Sequence, residues 1–555
     1  MAEPGHKISP TKLLVSMLSG ERSEIAVILT YGMGVGILSL AIPVGVQTLV
    51  STVNFGSLSQ PVLFLVLAVF VGLSAAALLR AIQIRIVEQF QKRFFTQVAL
   101  ELAYRIPRLH LEGASKNRFP ELVNRFFDVL TVQKSGATLL LDGFALLLQI
   151  VLGLVLLAFY HWFLLAFAIV LVATVGIILF GLGRGALLTS SEESVQKYRV
   201  AAWLEDLAAR PILFRSQAAR SLALEKANEV VQGYLGARSD HFKILMRQVL
   251  GSLALQAVAS SALLGLGAYL VIKSQLTLGQ LVAAEIVVTT ALGSLAKFQK
   301  HLEAFYDLIA ALDKLDGLFN LPLEQGTGIQ LKGGHGPAGL EARDLVYSYD
   351  SQDPIFKQVS FKIEPGSRVA LLGSNSSGKT TLVDLLFGIR DAKSGAVLID
   401  GNDYRDVSKE SLRDQIALVR GLEVLSDTIL DNIRMGRSEV TLESARAALT
   451  QLGLLDEITE LPRGIHTQLS GEGRPLSVGQ VHRIVLARAI VTKPRLVLVD
   501  ETLDDLDGKS REIALKLLLD PKAPWTLVLA THDMNLAKRC EVIISLDSLT
   551  QRRSA

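Results

Sequence analysis

Two short stretches in the second half of the chain carry residue types that together can handle a polyphosphate. Gly373-Ser374-Asn375-Ser376-Ser377-Gly378-Lys379-Thr380 follows the apolar run Val369–Leu372 and opens a helical run that starts at Thr381. Strand, glycine-bounded loop and helix, in that order, let backbone N–H groups wrap phosphate oxygens while the helix N-terminus adds positive potential. In that arrangement Lys379 holds the outer phosphates and the Thr380 hydroxyl reaches a magnesium ion. Further on, Leu496-Val-Leu-Val-Asp500-Glu501 reads as a buried strand ending in two acids. Adjacent carboxylates at a strand end are costly to bury unless a cation or a reacting water uses them. Asp500 is the expected magnesium partner, and Glu501 the base that polarises the attacking water. Either acid alone reads equally well as a helix cap or half of an ion pair.

Such residues need a scaffold that brings strand ends together. From about residue 339 onward, short apolar runs alternate with helical patterns, which predicts a parallel-sheet α/β domain over 339–555. Val369–Leu372, Leu496–Val499 and Leu527–Ala530 are its clearest buried strands. Before it, Leu321–Gly339 gathers Pro322, Gly326, Gly328, Gly333, Gly334, Gly336 and Pro337, a turn-rich linker assigned to 321–338.

The first 320 residues have a different character. The 555-residue chain is too long for one ordinary domain, and a mean hydropathy of +0.40 with 20% charged residues implies strong segregation of apolar sequence. Six runs are long enough to cross a bilayer as helices: Ile25–Val50, Pro61–Ala81, Ala137–Tyr160, Phe163–Leu182, Leu250–Ile272 and Leu278–Leu295. The connections after the second and fourth are long and basic, with Arg85, Lys92, Arg93, Arg105 and Arg108 in one and Arg184, Lys197, Arg199, Arg210 and Arg215 in the other. The remaining connections are short and nearly free of basic residues, so the long loops and both termini are assigned to the cytoplasm. These loops are helical in pattern, and the spanning helices are expected to continue beyond the bilayer. The N-terminus lacks the apolar core of a cleavable signal peptide; Ile8–Leu18 reads as an amphipathic segment on the inner membrane face.

Further motifs in the second domain resemble the ABC transporter family. Leu476-Ser-Val-Gly-Gln480 looks like its signature motif, Asp504-Asp-Leu-Asp507 like its D-loop, and Thr531-His532-Asp533 like its switch-histidine motif. Tyr349 matches the aromatic residue that stacks on adenine. The likeness covers essentially the whole chain, including Leu276-Thr-Leu-Gly-Gln-Leu281 before the last span, and is strongest to bacterial peptide and toxin secretion permeases without their N-terminal peptidase-like domain. It implies a six-span membrane α-helical exporter domain followed by an α/β P-loop NTPase domain, using ATP and Mg2+. The phosphate loop, through Gly373, Ser374, Asn375, Ser376, Ser377, Gly378, Lys379, Thr380 and Thr381, would hold ATP in one chain. Ser477 and Gly479 of a second chain would then close on its γ-phosphate, with His532 as γ-phosphate sensor and Glu501 as base. One such domain per chain implies a dimer, a homodimer in preference to a pair with a related half-transporter. Short cytoplasmic helices around Ala114–Glu121 and Ala208–Gln217 would dock on the nucleotide-binding domains.

Three departures from the family pattern stand out. Ser376 replaces a frequent glycine in the phosphate loop, and Val478 replaces the middle glycine of the signature, where a β-branched side chain restricts the backbone. The glutamine expected near Val419-Arg-Gly-Leu-Glu423 is missing, with Glu423 and Gln415 as candidate substitutes. These departures motivate a second reading, a degenerate ATP-binding subunit that regulates a partner.

Other features exclude function classes. A net charge of +3 gives no reason to expect nucleic acid, and the single cysteine, Cys540, excludes an internal disulfide. Gly32-Met-Gly34-Val-Gly36 lies inside a span and reads as helix packing, not as a dinucleotide loop. Asp350 and Asp353 read as a solvated turn. Glu285, deep in the sixth span, is the candidate for a substrate pathway, because a charge there should face a partner or water.

Overall fold

The computed structural model describes residues 22–54, 59–110, 125–324, 328–331, 334, 336–349 and 353–547. It divides into two compact units that meet in sequence between Leu321 and Pro322, with Leu109 and His110 belonging to the second.

The first unit is helical. Its elements are α1 (Arg22–Ser39), α2 (Ala41–Asn54), α3 (Ser59–Arg105), α4 (Asp128–Thr138), α5 (Phe144–Tyr160), α6 (Trp162–Gly176), α7 (Ala186–Ala209), α8 (Gln217–Ile272) and α9 (Leu278–Phe319). The break between α1 and α2 falls at Leu40, where Pro43 can donate no hydrogen bond back to the Ser39 carbonyl. Ser216 caps α8 by accepting from Ala219 N–H at 3.2 Å, and Thr277 opens α9 with a complete capping box to Gln280. The expectation that spans outrun the bilayer holds for α3 and α8, at 47 and 56 residues.

Among the described residues five helical stretches are long and apolar enough to cross a membrane, starting at Ser23, Gln60, Asp128, Trp162 and Gln217. The sixth expected span is represented by a shorter apolar stretch, Leu278–Thr290, at the start of α9. Large apolar side chains lie bare on these helices: Phe64, Phe159 and Phe180 are each more than 70% exposed, which suits contact with hydrocarbon. Small residues set the helix contacts. A Cβ on Gly32 would come within 2.8 Å of the Phe144 ring, and one on Gly34 within 2.9 Å of Leu79.

One expectation for the loops changes. Ala208–Gln217 is not a short helix: α7 ends at Ala209 and a turn at 211–214 leads to the start of α8, with Phe214 packed edge-on against Trp203 at 6.0 Å. Pro211 sets this boundary, since its ring disfavours helical backbone at Arg210. Ile8–Leu18 and Ala114–Glu121 lie outside the described residues.

The second unit has two sheets. An antiparallel sheet orders β2 (Phe356–Ile363), β1 (Leu340–Tyr347), β4 (Ser394–Ile399) and β5 (Asn402–Asp403). A parallel sheet orders β6 (Ile416–Arg420), β7 (Leu496–Asp500), β8 (Thr526–Thr531), β3 (Arg368–Leu372) and β9 (Val542–Ser545). β7 and β8 are buried along their whole length, as continuous apolar runs in a covered parallel sheet should be. One core lies between the two sheets around Phe356, Val369 and Ile399; the other packs helices around Ile484 and Trp525 on the opposite face.

Cys540 belongs to that second core, and burial pushes its thiol up to about 11. Thiolate is the nucleophile, so at pH 8 iodoacetamide should modify the native protein at least about a hundredfold more slowly than the urea-unfolded chain. Equal rates would place the thiol outside the core.

Candidate nucleotide site

The parallel sheet brings the C-terminal ends of β3 and β7 to one edge, where ligands of open α/β sheets bind. β3 runs into the loop Gly373–Gly378, and the helix Lys379–Phe387 follows it. Gly378 has φ +90°, and a Cβ there would meet Ile355 at 2.8 Å and Phe356 at 3.0 Å, so only glycine fits. Ser376 also takes a left-handed backbone, φ +73°, which accounts for the glycine that often stands at that position. Relieving it by Ser376→Gly should stabilise the domain by about 1 kcal/mol in denaturant titration; a destabilised variant would mean the Ser376 side chain contributes more than its backbone costs.

Lys379 is 4% exposed, and its three ammonium protons each have an acceptor. These are the carbonyls of Gly373 at 2.8 Å and Ser374 at 2.9 Å, and Glu501 Oε1 at 3.1 Å. The amine is thus held at the mouth of the loop rather than folded away. Ser374 gives its N–H and hydroxyl to the Asp547 carboxylate at 3.2 and 3.1 Å, while Asn375 is exposed. Ser377 is half-buried, and its hydroxyl has no partner among the described residues.

The two acids separate in environment. Asp500 is 6% exposed, and burial raises its carboxyl above the usual range against the opposing pull of Arg420 and Thr380. Glu501 is half-exposed and sits on left-handed backbone, φ +55°, pinned by its own N–H to the Ala530 carbonyl at 3.0 Å. A strained backbone at a reactive position fixes where the carboxylate points. Thr380 Oγ1 lies 3.4 Å from Asp500 Oδ1, a pair of hard oxygen donors of the kind magnesium takes. Among the described residues no three His, Cys, Asp or Glu side chains form a cage. That partial set suits an ion completed by phosphate oxygens and water.

The Tyr349 hydroxyl meets Thr381 Oγ1 at 2.9 Å, and the Arg390 guanidinium covers its ring at 4.8 Å. His532 Nδ1 lies 3.2 Å from Asp504, which also accepts from Thr531 at 2.9 Å. Burial raises the Asp504 carboxyl. Asp507 caps the helix Gly508–Leu518 through the N–H groups of Lys509 and Ser510, both at 3.0 Å.

The signature segment is locally self-contained. Ser477 caps the helix Val478–Val491 and exchanges hydrogen bonds with Gln480. Gln480 and Arg483 both bind Glu457, at 2.7 and 2.8 Å, and the Arg483 bond holds that carboxyl below its usual range. Val478 is 54% exposed in the first helical turn, with the capping box complete beside it. Gly479 sits in the same turn, Asp507 Oδ2 being 3.8 Å from where its Cβ would be.

Neither candidate for the missing glutamine reaches this site. Gln415 is at the start of β6, bound to Leu331 and Arg495, and Glu423 is exposed beyond the strand. Arg420 is there instead. It stands opposite Asp500 in the sheet register and donates to Asp500 Oδ2 and Asp384 Oδ1, each at 2.7 Å. Sequence reasoning passed over it because the family pattern called for a glutamine in this segment; a basic residue closing an apolar run was the available signal, and its neighbour across the sheet was not.

In the first unit, Glu285 accepts from Thr289 at 3.1 Å, and its other oxygen is buried with no partner among the described residues. Asp142 pairs with Arg80.

Residues 356–504 match the ABC transporter family. Together with the helical unit ahead of it, in which five described stretches are long and apolar enough to cross a membrane, that domain gives the chain the build of an ABC exporter half-transporter. It resembles, with a TM-score of 0.81 over 96% of this chain and 94% of the other, a structure described as a bacterial Atm1-family ABC exporter with ATP bound; at 21% identity that likeness concerns the fold. Among named relatives, the α-hemolysin translocation ATP-binding protein HlyB of Escherichia coli O157:H7 is 28% identical over 56% of this chain and 45% of its own length. The ATP-dependent lipid A-core flippase of Saccharophagus degradans is 31% identical over 47% of this chain and 46% of its own. The chain spans about half the length of these curated relatives.

Proposed function

We propose that the protein hydrolyses ATP to drive export of a substrate across a membrane, working as a homodimer. The observation that carries this reading is the convergence of Lys379, Thr380, Asp500 and Glu501 at one sheet edge, with Lys379 3.1 Å from Glu501 and Thr380 3.4 Å from Asp500. The loop amides and Lys379 would bind the β- and γ-phosphates, and Tyr349 would offer its ring to adenine. Thr380 and Asp500 would hold Mg2+, which when bound supplies positive charge against the phosphate oxygens. Glu501 would orient the attacking water and draw on its proton, while His532, kept in place by Asp504, would contact the γ-phosphate. Phosphoryl transfer needs positioning and charge compensation above all, and these residues supply both.

The isolation of the signature supports a dimer. Among the described residues the polar partners of Ser477, Gln480 and Arg483 all lie outside the phosphate loop. Ser477 and Gly479 are therefore free to serve a nucleotide on a second chain. With cysteines placed at Asn375 and Ser477, a short bismaleimide should link two chains when ATP is present and leave them separate without it. ATP hydrolysis by a strict monomer would overturn the dimer.

Transport itself is tested with purified protein in liposomes. ATP-dependent flux of a labelled lipid or peptide supports the reading, and absence of both flux and hydrolysis removes it. The basic loops support a nucleotide-binding domain on the cytoplasmic side, and the proposed membrane is a bacterial inner membrane. Within the spans, the Glu285 oxygen that has no partner among the described residues suits a cationic or polar-headed substrate. Glu285→Gln should alter substrate-stimulated hydrolysis severalfold and leave basal hydrolysis unchanged; unaltered stimulation by every substrate would make Glu285 structural.

A further inference from the structure

Asp500 has two oxygens with different neighbours. Oδ1 lies beside the Thr380 hydroxyl at 3.4 Å, and Oδ2 accepts Arg420 Nε at 2.7 Å. The arginine is fixed from three sides. Besides Asp500 it donates through Nη1 to Asp384 Oδ1 at 2.7 Å and through Nη2 to the Thr380 carbonyl at 3.4 Å. Asp384, on the helix that follows the phosphate loop, is 4% exposed and is itself anchored by Arg390 at 2.8 Å on its other oxygen. Sheet register reinforces the placement, because Arg420 ends β6 directly opposite Asp500 at the end of β7.

A planar guanidinium cannot lose its charge, and its bonds to two buried carboxylates are of the strong, charge-assisted kind. Its position has two consequences for the same carboxylate. A divalent ion approaching Oδ1 meets an Asp500 whose charge is already matched, and it meets the repulsion of a fixed cation only a few ångströms away. Conversely, a triphosphate arriving without metal meets no bare carboxylate at this corner. Glutamine or any other neutral residue at the same place would do neither.

We propose that Arg420 is a resident counter-cation for Asp500, competing with magnesium for that carboxylate and allowing the site to take a nucleoside triphosphate in the absence of metal. This rests on the nucleotide-site reading given above.

The test is equilibrium binding of a fluorescent ATP analogue to the purified full-length protein, in excess EDTA and in excess MgCl2. The readout is the ratio of the two dissociation constants, which does not depend on turnover. For the wild type that ratio should stay below about three, and for Arg420→Gln it should rise to about ten or more, the scale of one lost charge-assisted contact. Arg420→Lys keeps the charge and should stay below about five on the same reasoning. A wild-type ratio above about ten overturns the proposal, as does an Arg420→Gln ratio equal to the wild type or an Arg420→Lys ratio equal to that of Arg420→Gln. If Arg420→Gln fails to fold, the wild-type and lysine measurements still decide. Binding of the analogue under neither condition overturns the nucleotide site as well, whereas binding that needs metal overturns only the role of Arg420.

Discussion

Replacing Glu501 by glutamine should leave ATP affinity within about threefold of wild type while steady-state hydrolysis falls at least about a hundredfold, the scale of losing a base or water-positioning group. The geometry explains why the two effects separate. The carboxylate position is set by left-handed backbone and by the N–H bond to Ala530, neither of which depends on side-chain charge. Glutamine keeps the length of the side chain and an oxygen for Lys379, so the phosphate loop is undisturbed. What it loses is the negative charge that draws a proton from water. Hydrolysis near the wild-type rate in the purified variant would mean that another group activates the water.

Lys379→Met is expected to show the opposite pattern. Its ammonium is the buried cation of the loop, and methionine removes every donor while keeping most of the apolar stem. Loss of charge-assisted bonds to phosphate should weaken ATP binding by about thirtyfold or more, with hydrolysis falling because the site is empty. The two variants together form a discriminating pair: one binds and does not turn over, the other does not bind. Wild-type affinity in Lys379→Met would show that the loop amides alone hold the nucleotide.

The fold was readable in sequence wherever one local rule dominated. The phosphate loop and the apolar β7 with its two terminal acids are local signals, and each lies in the element its pattern implied. What sequence could not supply was register. Arg420 acquires its meaning from the strand beside it, and no spacing along the chain says that residue 420 stands opposite residue 500. The same limit applies to Asp547, which reaches Ser374 from 173 residues away, and to the pairing of His532 with Asp504. The turn around Pro211 was missed for a different reason. The family resemblance implied a short helix there, yet Ile212 and Leu213 are both exposed in a turn, and proline had already closed the preceding helix.

The length of α3 and α8 bears on how the membrane part can move. Each is an unbroken run of helical hydrogen bonds about 70 to 85 Å long, more than twice the thickness of the hydrocarbon layer. A rod of that kind has no soft joint where the lipid ends and water begins, so rotation at one end is delivered to the other instead of being absorbed. Tilting α3 by about 5° around a pivot at its aqueous end would sweep its far end by about 6 Å, enough to part or join side chains across a bilayer-deep passage. In the proposed exporter, the place where chemical work is converted into opening would be set by where these rods pivot, and the turn at 211–214 is one described discontinuity between them at which the chain can yield.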